Sequence, residues 1–183
     1  MADYTAKILK SRKLSTTAAD VKPGVWQARL STAKSYATKN KVPVIAIWSN
    51  GNRCSHCVRF ESGLTNAYFV KWMKTSGCVF VYAYYGDGAD GEKIKAWCMG
   101  TQKFYPILRV YWPAGKVDIK PMGDDIIGTK RGTTAAKKQV AYFKKKLAKF
   151  FTKTTARTAV KATAKTKAKT TAKAKTTAKQ KAK

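Results

Sequence analysis

The residues with the most specific chemistry are Cys54-Ser-His-Cys57. Two thiols three positions apart can exchange with a disulfide, the first attacking and the second resolving the mixed disulfide. A helix is expected to begin at this point. Free N–H groups and the positive end of the helix dipole then favour a thiolate on Cys54. Arg53 and a protonated His56 act in the same direction, although His56 reads equally well as a solvent-facing residue. Spacing alone leaves two other readings, an inert pair and half of a zinc site. Zinc calls for two further ligands, and the only other cysteines, Cys78 and Cys98, do not form a second Cys-x-x-Cys. Cys78 opens an apolar strand and Cys98 lies between Trp97 and Met99, so both read as core residues and no metal is expected.

The elements that must hold this motif follow from periodicity. Trp26, Leu30, Ala33 and Ala37 recur at helical spacing and predict a helix over 23–41. Val42 to Trp48 is a continuous apolar run and predicts a buried strand, closed by the turn cluster Ser49-Asn-Gly-Asn52. The helix behind the cysteines is expected to break at Gly63 and restart behind Thr65 or Asn66, with Phe69, Trp72 and Met73 inside. Cys78 to Tyr84 predicts a second central strand, followed by a loop over 86–91 and a short helix over 92–99. Ile107 to Trp112 and Val117 to Lys120 read as a hairpin about Pro113-Ala-Gly-Lys116. Val140, Phe143, Leu147 and Phe150 line a closing helix over 133–151; its lysines read as a solvated face rather than a base-stacking surface.

Strand, turn, Cys-x-x-Cys and helix, with Tyr105-Pro106 before a hairpin, resemble the thioredoxin superfamily. The carriers are Val44-Ile-Ala-Ile-Trp48, Cys54-Ser-His-Cys57, Tyr105-Pro106-Ile-Leu and the Gly115 turn, and the resemblance spans residues 23–151. It implies a thioredoxin-like three-layer α/β/α sandwich. It further implies a nucleophile at Cys54, a resolving thiol at Cys57, and a cis Pro106 that with Tyr105 shapes the substrate groove. No organic cofactor is needed. A His before the second Cys is similar to the more oxidising members. The sequence departs from the family at Ala46, where thioredoxins carry a buried Asp. It departs also in a longer loop before Cys54 and in Arg53, which replaces an aromatic residue.

Charge sets a second theme. The chain has 183 residues and a formal net charge of +29, from 38 Lys+Arg against 9 Asp+Glu. That imbalance asks for a polyanionic partner and fits neither a small acidic enzyme nor a plain solvated globule. All 9 acids precede residue 126, whereas 19 of the basic residues follow it. The last 32 residues are almost wholly Lys, Ala and Thr, with little to bury, and predict a disordered basic tail over 152–183. Its cations are Lys153, Arg157, Lys161, Lys165, Lys167, Lys169, Lys173, Lys175, Lys179, Lys181 and Lys183. Point-charge lysines without aromatic neighbours suit phosphate contact without base readout, and the tail resembles those of linker histones and some nucleoid proteins. Residues 1–22 read as a basic arm without a secretory signal, and no apolar run is long enough to span a membrane.

Two functions fit this reading. One is a thiol–disulfide oxidoreductase tethered to nucleic acid, DNA or RNA, with a thiol or disulfide protein as substrate. The other is a non-enzymatic packaging protein of a nucleoid or virion that uses the same fold as a docking module. The expected location is cytoplasmic and nucleic-acid associated, with a virion interior as the variant.

Overall fold

Strand β2 (Val44–Ser49) is buried at all six positions, as expected for a strand covered on both faces. In the computed structural model, which describes residues 3–99, 105–113, 126 and 129–148, it is a central strand of a four-stranded sheet. The order is β1-β3-β2-β4, with β1 (Trp26–Gln27), β3 (Val79–Tyr84) and β4 (Ile107–Tyr111). β3 runs parallel to both β1 and β2, and β4 runs antiparallel to β2. The helices are α1 (Tyr4–Ser11), α2 (Leu30–Asn40), α3 (Ser55–Leu64), α4 (Ala67–Thr75) and α5 (Gly88–Met99), with α6 over 132–148.

Alternation along the strands divides the core in two. Val44, Ala46 and Trp48 on β2 and Val79, Val81 and Ala83 on β3 pack with Ala33 and Ala37 of α2 and with Ile94 and Cys98 of α5. The opposite face is aromatic. Phe80 meets Trp26, Phe69 and Trp72, and Phe143 of α6 stacks on Trp72 at 5.6 Å. Helices on both faces of a mixed sheet give the thioredoxin-like α/β sandwich that the sequence implies.

Three expectations are corrected. Trp26 lies in a strand, not in a helix. Gly24 adopts a left-handed φ of +73°, and a Cβ there would come within 2.6 Å of the Lys74 backbone. The chain therefore turns sharply, Trp26 pairs with Phe80, and the helix begins only at Leu30. Helix α3 runs through Gly63 to Leu64, and the end of the Gln139 side chain packs against Gly63 where a Cβ would stand. The expected Asn66 cap is present, its side chain accepting from the Tyr68 N–H. Helix α5 begins at Gly88, four residues earlier than expected.

The segment read as a basic arm carries α1, whose Ile8 is buried. Arg12 forks onto Asp87 at 2.5 and 2.8 Å and also donates to the Tyr82 carbonyl at 3.0 Å. Lys13 extends the sheet edge by donating to the Trp26 carbonyl and accepting from the Ala28 N–H. The chain divides into two units, Met1–Lys144 and Lys145–Lys183. The turn at Gly115, the strand over 117–120, Phe150 and the tail over 152–183 lie outside the described residues.

Candidate functional site

β2 delivers the chain to Ser49, and a short 3-10 turn over Gly51–Arg53 reverses it into α3. Gly51 supplies the positive φ of +56° that this reversal requires. Cys54 is the N-cap of α3, with an extended backbone. Its Sγ accepts from the Cys57 N–H at 3.3 Å, as a capping serine oxygen would. It also lies 3.8 Å from the Tyr105 carbonyl oxygen, against which a protonated thiol is a weak donor. Tyr105-Pro106 is a cis peptide, with Pro106 buried and Tyr105 half-buried. The Tyr105 ring rests 5.0 Å from that of Trp48. The structure thus joins Cys54, Cys57, Tyr105 and Pro106, which come from two distant stretches of sequence.

The two thiols differ. Cys54 is partly exposed, whereas Cys57 is buried. Burial pushes the Cys57 thiol well above its ordinary range, with the nearby Cys54 adding to the effect. The neighbouring Asn50 backbone and Ser49 side chain act against that rise. Cys78 and Cys98 are both buried, as the sequence reading has it, and desolvation raises each to about 12.

Two residues assigned to the thiolate face other partners. The Arg53 guanidinium stacks on the Tyr85 ring at 4.0 Å. His56 Nδ1 accepts from Arg59 Nη2 at 3.0 Å on the exposed side of α3.

Sequence reasoning missed a polar cluster beneath the motif. Glu61 is fully buried. One carboxylate oxygen accepts from Thr5 Oγ1 at 2.7 Å; the other accepts from Tyr82 Oη at 2.6 Å and from Ser49 Oγ. The signal available in the sequence was the spacing of Glu61, four residues after Cys57 and so on the same face of α3. Desolvation and then the Glu61 charge push the Tyr82 hydroxyl well above its ordinary range. Among the described residues, no group of three or more His, Cys, Asp or Glu could hold a metal. The eleven basic tail residues, Lys153 to Lys183, lie outside the described residues.

No protein-family model and no curated protein matches the chain. One similar solved structure is titled "DsbH Oxidoreductase", with a TM-score of 0.46 and 14% identity over 68% of this chain and 92% of that one.

Proposed function

We propose that this protein is a thiol–disulfide oxidoreductase of the thioredoxin-like fold, tethered to nucleic acid by its basic tail. One observation carries the redox reading: the Cys54 sulfur caps α3, receives the Cys57 N–H, and faces the carbonyl before cis Pro106. A partly exposed thiol in this position can attack an incoming disulfide. Cys57, three residues on, then closes the pair and releases the second thiol. Tyr105 and Pro106 form the adjacent wall along which a substrate peptide lies. The reaction needs no organic cofactor. The test is reversible disulfide formation between Cys54 and Cys57, with Cys54→Ser as the control that abolishes it.

The tether rests on composition: 11 cations and no acid after Phe151. If about 8 of them meet duplex phosphates, log K falls with log salt at a slope of about −7. Truncation after residue 151 removes most of this affinity. A truncated chain with unchanged affinity and slope overturns the tether. The location that follows is cytoplasmic and nucleic-acid associated, inside a nucleoid or a virion.

The second reading, a packaging protein with unused cysteines, is favoured by the orientation of Arg53 and His56 toward Tyr85 and Arg59. It is separated from the first by Cys54→Ser, which on the packaging reading leaves function intact.

A further inference from the structure

Arg53 is engaged with Tyr85 rather than with the thiol beside it. Its guanidinium lies 4.0 Å from the centroid of the Tyr85 ring, and both side chains are exposed. Tyr85 follows β3 and donates its N–H to the Ser49 carbonyl at 3.2 Å. It therefore stands level with the turn that carries the chain from β2 to Cys54, and its ring edge lies 3.7 Å from where a Cβ on Gly51 would be. Stacking uses the face of a guanidinium and leaves its N–H edge free to donate. Among the described residues no carboxylate pairs with Arg53, or with Arg59 one turn along α3. The acids on the neighbouring elements are engaged elsewhere. Asp87, two residues after Tyr85, takes the fork of Arg12, and Glu61 is buried among the hydroxyls of Thr5, Ser49 and Tyr82. The rim of the partly exposed thiol is thus cationic, with one oriented donor edge.

We infer that Arg53, held by Tyr85, selects the substrate: a peptide disulfide with an acidic residue next to its cysteine. This deepens the redox reading of Cys54 and rests on it. An Asp or Glu arriving beside Cys54 meets the planar N–H edge of Arg53, a geometry that suits a carboxylate. A Lys or Arg in the same place meets Arg53 and Arg59 as like charges, so the rim rejects as well as attracts. In the step that is selected, the Cys54 thiolate attacks the substrate sulfur. A bond forms between Cys54 Sγ and that sulfur, the substrate S–S bond breaks, and the other sulfur leaves with the electron pair. Arg53 touches the substrate beside the reacting bond and exchanges no proton or electron. Tyr85 acts through Arg53 and is a positioning residue.

The test uses the full reduced chain and two peptides of identical composition, each with one cysteine in a mixed disulfide with 2-thiopyridine. One carries Glu next to the cysteine, and the other carries it at the far end, so total charge is the same. Attack at the peptide sulfur releases pyridine-2-thione, read by its absorbance. Each rate is divided by that of the same peptide with 2-mercaptoethanol, which removes the effect of Glu on the disulfide itself. The near-Glu peptide should react about threefold to fivefold faster at low salt, the size of an exposed ion pair, and the preference should shrink as salt rises. The ratio should fall to near one in Arg53→Gln and below one in Arg53→Glu. Tyr85→Ala should lower it and Tyr85→Phe should keep it. Lys39→Gln changes an exposed lysine near the C-terminal end of α2, ahead of β2 rather than beyond it, and should leave the ratio unaltered. Because a ratio is read, a change in the reactivity of Cys54 itself cancels. A ratio of one in the wild type, or a ratio that Arg53→Gln leaves intact or Lys39→Gln lowers equally, overturns the selection and leaves the redox reading standing. A wild-type chain that releases no thione from either peptide overturns both.

Discussion

The four cysteines form two populations, and their surroundings set them apart. Cys78 and Cys98 are sealed in the core, where the thiol hydrogen bonds found are long contacts to carbonyl oxygens, at 3.7 Å to Ser76 and 3.9 Å to Ala46. A carbonyl accepts from a thiol and does nothing for a thiolate. Cys54 is partly exposed and meets a backbone N–H at the mouth of α3. Exposure and a backbone donor at the helix N-terminus separate Cys54 from the sulfurs that pack in the core, and Cys57 lies one turn into the helix that Cys54 caps. The residue type is the same, so the difference lies in which element each cysteine occupies: a helix N-terminus against the start of a strand and the body of α5.

The largest effect this contrast predicts is in alkylation. With iodoacetamide at pH 8 on the native reduced chain, Cys54 should label first, and Cys78 and Cys98 only on unfolding. Peptide mass mapping over time reads the order. Labelling of Cys78 at a rate similar to Cys54 would erase the distinction.

A smaller effect lies in alkaline stability. Folding raises Cys78 and Cys98 from the ordinary 9.0 to about 12. Below pH 9 both folded and unfolded chains hold these protons, and the stability is fully present. Between pH 9 and 12 the unfolded chain loses them while the folded chain keeps them, so stability falls as pH rises. Each unit of difference corresponds to about 1.4 kcal/mol, which puts the loss at a few kcal/mol per thiol by pH 12. Cys78→Ala and Cys98→Ala should each flatten the fall in urea midpoint between pH 8 and 11. Equal slopes in wild type and variants would mean that burial of these thiols is not coupled to folding.

Much of the site was legible in the sequence because its parts are local. A strand, a turn and a Cys-x-x-Cys on a helix N-terminus occupy residues 44–57, and the periodicity of that stretch survives folding. Tyr105-Pro106 was readable from its place before a strand. What escaped was set by contacts between distant residues. Trp26 matched a helical spacing with Leu30, but the left-handed Gly24 and its closeness to Lys74 made it a sheet residue. The segment before residue 22 looked like an arm because its anchors are remote, Arg12 on Asp87 and Thr5 on Glu61. Glu61 was one acid among many residues until the fold placed hydroxyls from α1, β2 and β3 around it. His56 lies on the exposed side of α3, the solvent-facing alternative that the sequence also offered, with Arg59 one helical turn away.

The central claim is that Cys54 and Cys57 form a working redox couple. Equilibration of the full chain in glutathione buffers, with thiol state read by mass and Cys54→Ser as control, measures it directly. The account predicts a reversible two-electron couple between about −120 and −270 mV, the span of known dithiol oxidoreductases. A pair that never forms a disulfide, or that cannot be reduced once formed, contradicts it.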